Sequence, residues 1–194
     1  MSTIMVRQPP NSGGVRAILA YVITETLGSD WHESQKLAEF SEQAPSVTEQ
    51  LLHELGKINS ETVAECTRVA RLFPIEPTTY KHRLREFYTE FLDEAKRMGQ
   101  FENPATMTTF IAFIVEVCRR CIEEGQSKEV LPIYEYSCRL MSESSTTGIP
   151  NSWEQYIDSL CASSSDHSRT RRQLLWDALL VILRTYENYN LYTN

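Results

Sequence analysis

One continuous apolar stretch constrains this chain more than any other feature. Residues 107–124 read MTTFIAFIVEVCRRCIEE, and from Phe110 to Val117 only Glu116 is charged. A helix that is apolar around its whole circumference must be enclosed by other elements. The apolar run is about a dozen residues long, shorter than the ~20 residues that cross a bilayer. The sequence therefore predicts the central helix of a soluble helical bundle.

The rest of the sequence supplies candidates for the enclosing helices. A chain of 194 residues is long enough for one well-buried core, and its low content of glycine and proline favours long helices. No segment alternates apolar and polar residues as a half-buried strand does. The expected fold class is all-α, a bundle of about eight helices around the central one. The predicted helices cover residues 15–27, 46–58, 63–72, 79–98, 105–124, 127–142, 151–160 and 170–186.

Capping residues and polar stretches set the expected boundaries. Gly28 ends the first helix, whose apolar residues form one stripe, and residues 29–45 are interpreted as a polar connection. In the helix at 79–98, Leu84, Phe87, Phe91 and Leu92 are expected to face inward. The predicted organisation is a disordered leader at 1–13, a helical domain at 14–186 and a C-terminal tail at 187–194.

Charge and cysteine content narrow the class of protein. A formal net charge of −7 would repel a phosphate backbone, so no nucleic acid partner is expected. Five cysteines are an odd number, which favours reduced thiols and an intracellular compartment. Cys118 and Cys121 form a C-x-x-C motif inside the central helix, without a second cysteine pair for zinc or a preceding strand for redox chemistry. Packing as small apolar side chains is the favoured interpretation.

The sequence offers no catalytic constellation. Its four histidines are scattered, and no metalloprotease, nucleophile-elbow, Walker or dinucleotide-binding motif is present. Glu123 and Glu124 stand at a helix end with arginines nearby, which is typical of a solvated cap rather than of an acid-base pair. No catalytic residue, metal site or cofactor is predicted, and the chain is expected not to be an enzyme.

The order of the segments resembles the Bcl-2 family of apoptosis regulators over most of the chain. The first helix and Trp31 resemble the family's opening helix with its closing tryptophan. Leu52 to Gly56 matches the L-x-x-x-G core of the third homology region. Residues 108–114 resemble the first homology region, and Trp153 stands where a tryptophan begins the short helix of the second.

The resemblance implies a pro-survival protein that sequesters amphipathic pro-death helices in an apolar surface groove. Its expected partners are Bak, Bax or ligands that carry a single homology region (single-region ligands). A homodimer is a further option. Membrane association would be at most peripheral, in a protein that is cytoplasmic or attached to the mitochondrial outer membrane. The groove residues implied are Val63, Cys66, Val69, Phe87, Phe91, Leu92, Thr108, Thr109, Ala112 and Phe113.

Departures from the family pattern bear on how a ligand would be held. Residues 106–109 read TMTT where the family has Asn-Trp-Gly-Arg, so the arginine that pairs with a ligand aspartate is missing unless Arg85 or Arg119 replaces it. Lys57 follows Gly56 where the family has aspartate, so the segment would be a poor ligand for a relative. Such departures from the family motifs are typical of a divergent viral or invertebrate member.

Two alternatives stay open at this level. A pore-forming pro-apoptotic effector of the same fold would need a membrane-inserting hairpin, whereas the central helix carries Glu116, Arg119 and Arg120. A scaffold or decoy would keep the bundle without a working groove and bind through an outer face, and the missing arginine favours that alternative.

Overall fold

The computed structural model describes residues 12–42, 70, 73, 75–76, 79–97, 99 and 104–143. Most of these residues are helical and none is in a strand, which confirms the all-α class for the described part of the chain. The helices are α1 (Ser12–Leu27), α2 (Ser34–Ser41), α3 (Tyr80–Arg97), α4 (Pro104–Glu123) and α5 (Val130–Glu143), and a 3₁₀ turn at Ser127–Glu129 leads into α5.

Helix α4 is the central helix that the sequence predicts. Phe110, Ile111, Phe113 and Ile114 have no exposed surface, and only Ala112 and Glu116 of the two turns from Phe110 to Val117 are half-buried. Helices α1, α3 and α5 all contact α4, as does the 3₁₀ turn. Enclosure by neighbouring helices is the state that a mostly apolar helix requires, and the expected central position of α4 is confirmed among the described residues.

Helix α4 ends at a glycine cap, Gly125. Gly125 has a φ of 73°, the left-handed conformation that glycine adopts without a steric penalty. Its amide donates to the Ile122 carbonyl at 3.1 Å, and the Gln126 amide donates to the Cys121 carbonyl at 2.7 Å. This pair of bonds is a Schellman motif, which satisfies carbonyls that the helix itself leaves unpaired.

Helix α1 is buried more completely than its sequence suggests. The predicted stripe contains Ile18, Leu19 and Val22, and all three are buried. However, Ala17 and Ala20, which lie outside that stripe, are only 3% and 0% exposed. The reason is that α1 contacts α2, α4 and α5, so neighbours enclose it from several directions.

Helix α2 corrects the interpretation of residues 29–45 as a polar connection. Ser34–Ser41 is helical and contacts α1, with Leu37 fully buried and Phe40 packed on the core. A helix of eight residues is too short to be stable alone, so its stability comes from packing. Three apolar residues in this octapeptide, one of them a small alanine, give too weak a periodic signal to reveal the helix.

The predicted boundaries of the other described helices agree with the structure within a few residues. Helix α3 matches 79–98, α4 matches 105–124, and the 3₁₀ turn with α5 matches 127–142. Leu84, Phe87 and Phe91 face inward as predicted, and Leu92 is half-buried against the core. The helices expected at 46–58, 151–160 and 170–186, and nearly all of 63–72, lie outside the described residues. None of the described helices is both long and apolar enough to cross a membrane.

Candidate functional site

Three of the implied groove residues lie where α3 meets α4. Phe87 and Phe91 on α3 and Phe113 on α4 are 0–1% exposed, so they belong to the core. Leu92 and Ala112 are half-buried and pack against that core. Thr108 and Thr109 lie within α4. The remaining residues of the implied groove and homology regions lie outside the described part of the chain: Val63, Cys66, Val69, Leu52, Gly56 and Trp153.

An aromatic cluster joins α3 to α4. Phe87 is its centre, with its ring centroid 4.3 Å from that of Phe113 and 6.3 Å from those of Phe91 and Phe110. Phe73 lies edge-on to Phe113 at 5.6 Å and to Phe87 at 6.5 Å. Tilted and edge-to-face rings add to the stabilisation that buried area provides. The cluster therefore fixes the relative position of the two helices that would form the groove.

One line along α4 is not fully buried. Ala112, Glu116, Arg119 and Glu123 follow at helical spacing; the first three are half-buried and Glu123 is exposed. The Arg119 side chain is 37% exposed, and its Nε lies 3.4 Å from Oε1 of Glu116, whose side chain is 12% exposed. This partly exposed side of α4 therefore has a small residue toward its N-terminal end and a charged pair beyond it.

Arg85 and Arg119, the two candidates for contact with a ligand carboxylate, already have partners. Arg119 pairs with Glu116, and Arg85 Nε donates to the Tyr136 hydroxyl at 3.2 Å. A ligand carboxylate would have to compete with these contacts. Arg119 lies two turns from Ala112 on the same helix, about 10 Å along its axis, whereas Arg85 lies on α3 beside α5.

A separate cluster of one arginine and two aromatic residues, which the sequence did not reveal, joins α1, α2 and α5. The Arg16 guanidinium carbon lies 5.0 Å from the ring centroid of Phe40 and 5.8 Å from that of Tyr134. The Tyr134 hydroxyl donates to the Arg16 carbonyl at 2.8 Å. Burial raises the pKa of Tyr134 above its usual value. The cation–π contacts hold the short α2 in place, and no local sequence signal predicts a cluster built from three separate helices.

The described histidines lie on the surface of the protein. No group of three His, Cys, Asp or Glu side chains among them is placed to bind a metal ion. His82 is 75% exposed, and its Nε2 lies 3.0 Å from Oε1 of Glu86. His32 lies in an open surface depression lined by residues 29–36 alone, where Lys36 pairs with Glu33 at 2.6 Å.

The three described cysteines are buried, as expected of small apolar side chains. Cys118 and Cys121 on α4 are 0% exposed and Cys138 on α5 is 2% exposed. Burial raises the pKa of Cys121 and of Cys138 to about 12 and holds the pKa of Cys118 well above its usual value. Because the thiolate is the reactive form, these thiols are chemically inert in the folded protein.

Thiol titration tests this inertness. In a variant with Cys66→Ser and Cys161→Ser, which leaves Cys118, Cys121 and Cys138, Ellman's reagent at pH 8 is expected to react with no thiol of the native protein over minutes. The same variant in guanidinium should release three equivalents, which provides the positive control. Rapid reaction of even one thiol in the native state would contradict the burial of the C-x-x-C motif.

Comparisons with protein-family models, curated proteins and solved structures find no significant match to this chain.

Proposed function

We propose that this protein is a divergent, pro-survival Bcl-2-like regulator that sequesters amphipathic pro-death helices in a groove beside α3 and α4. The observation that carries the proposal is the buried central helix α4 joined by an aromatic cluster to the amphipathic α3. Leu92 on α3 and Ala112 on α4 are half-buried and pack against the core. An amphipathic helix binds by placing its apolar residues on such a surface.

In this proposal the complete fold is a Bcl-2-like bundle of about eight helices. The partners would be Bak, Bax or a single-region ligand, and the site of action the cytoplasm or the surface of the mitochondrial outer membrane. Ligand affinity would depend on apolar contacts more than on a central salt bridge, because Arg85 and Arg119 are engaged within the protein.

A scaffold or decoy of the same fold is the second candidate, and one observation favours it. Phe87, Phe91 and Phe113 are fully buried in the free protein, so the aromatic cluster itself presents no surface to a ligand. In a scaffold, these rings would only hold α3 and α4 together, and partners would bind an outer face of the bundle.

Titration calorimetry with Bak, Bax and single-region helical peptides separates the two candidates. The groove proposal expects a Kd below about 10 μM for at least one peptide, corresponding to more than ~7 kcal/mol of binding free energy. If every peptide fails to bind at that level, the groove proposal is rejected in favour of the scaffold.

Replacing Ala112 with tryptophan locates the groove. Ala112 is half-buried and packs against the core, so Ala112→Trp is expected to weaken peptide binding at least tenfold, or about 1.4 kcal/mol. Ala38 is equally a half-buried alanine but lies on α2. Ala38→Trp therefore serves as the matched control and should leave affinity unchanged. Equal affinities for both variants, with the helical circular dichroism signal retained, would show that the groove lies elsewhere.

A further inference from the structure

Arg120 makes contacts that packing of the central helix does not require. It lies in the last turn of α4, and its side chain is 15% exposed. One guanidinium nitrogen, Nη1, donates to the carbonyl of Ala70 at 3.2 Å and also to the carbonyl of Phe73. Nε donates to Oε1 of Glu124 at 2.8 Å. One side chain thus connects α4 to a backbone segment about 50 residues earlier.

The two carbonyls belong to a turn that positions an aromatic ring. The Phe73 amide donates to the Ala70 carbonyl at 3.2 Å, so the Ala70 oxygen accepts both this bond and one from Arg120. The Phe73 ring is 2% exposed and lies edge-on to Phe87 of α3 and Phe113 of α4. The backbone held by Arg120 therefore carries a ring that packs on both helices of the aromatic cluster.

Arginine suits this role for chemical reasons. The guanidinium group is planar, remains charged, and presents five N–H donors in a fixed fork. Helix and turn ends leave carbonyls without intrahelical partners, and a cationic donor satisfies them well. Glu124 is 43% exposed and accepts from Nε, which leaves the Nη1 donor directed at the two carbonyls.

We propose that Arg120 is a positioning residue that latches the Ala70–Phe73 turn onto the end of the central helix, with Glu124 orienting the guanidinium. The latch sets the position of the Phe73 ring and hence the spacing of α3 and α4. Its effect on ligand affinity rests on the proposed function, whereas its effect on the turn does not.

Hydrogen exchange of the free, full-length protein tests the latch without any ligand. In Arg120→Gln, the amides of Phe73 and Ile75 are expected to exchange at least tenfold faster, while those of Leu19 and Ala20 in the buried part of α1 stay unchanged. Arg120→Lys keeps the charge and a donor and should restore part of the protection. Glu124→Gln should accelerate the same amides by a smaller factor.

Arg119→Gln is the matched control, because Arg119 pairs with Glu116 of its own helix. This change should not accelerate exchange at Phe73. The latch is rejected if Arg119→Gln and Arg120→Gln have the same effect, or if Arg120→Gln accelerates α1 and the turn equally, since either result indicates general destabilisation.

Peptide calorimetry then tests the connection to the groove. Arg120→Gln is expected to weaken binding of a pro-death helix at least fivefold. Unchanged affinity despite locally faster exchange would refute the connection to the groove. A wild-type protein that binds no peptide would reject the proposed function, while the exchange data would still decide whether Arg120 is a latch.

Discussion

Replacing Phe87 with alanine is expected to lower the free energy of unfolding by about 3–5 kcal/mol, the range for large-to-small changes at buried aromatic residues. Phe87 is 0% exposed and its ring lies within 6.5 Å of four others, those of Phe73, Phe91, Phe110 and Phe113. Truncation would remove the centre of the cluster and leave a cavity between α3 and α4. Guanidinium unfolding followed by circular dichroism measures the change.

Phe40→Ala provides a control for the loss of an aromatic ring. Phe40 is only half-buried, and its ring lies 6.0 Å from that of Tyr134. Its truncation should cost clearly less than that of Phe87, about 1–2 kcal/mol. If the two variants were equally stable, the junction of α3 and α4 would not be the densely packed part of the core, and the site built on it would lose its support.

Replacing Leu37 with alanine is expected to cost about 2–5 kcal/mol, as is usual for buried leucines. Leu37 is 0% exposed and is the only fully buried apolar residue of the short α2. Because an eight-residue helix cannot stabilise itself, α2 depends on this side chain for its packing against α1. Urea unfolding gives the free energy, and hydrogen exchange of residues 34–41 gives the local effect.

Glu39→Ala is the matched control on the same helix, since Glu39 is exposed. It should change stability by no more than about 0.5 kcal/mol. A Leu37→Ala variant as stable as Glu39→Ala would mean that α2 is not docked on α1, and residues 29–45 would then be the polar connection that the sequence predicts.

The contrast between α4 and α2 shows what a sequence pattern can predict. In α4, apolar residues on every side leave only one environment that avoids their exposure to water, so burial follows from the residues themselves. In α2, three apolar residues in eight fit a loop as well as a helix. Its helical state depends on the surface of α1 and on the Arg16, Phe40 and Tyr134 cluster, which no local pattern records.

In the candidate site, too, the sequence predicts some features and not others. Helical periodicity correctly assigns Phe87 and Phe91 to the inner face of α3. It does not distinguish a ring buried in the core from one lining a groove, because both are apolar at the same spacing. Similarly, charge in the sequence does not reveal that Arg120 binds the carbonyls of Ala70 and Phe73 while its neighbour Arg119 pairs within α4.

The sequence alone determined that the described part of this protein is all-α, that α4 is its buried centre, and that Gly28 and Gly125 end the helices before them. These features follow from contacts within a few turns of chain or from the cost of exposing apolar surface. The tertiary structure alone decided that α2 exists and that the aromatic rings of α3 and α4 pack against one another. It also decided that Arg120, rather than Arg119, binds the distant carbonyls of Ala70 and Phe73. These depend on residues far apart in sequence, whose meeting only the packed fold establishes.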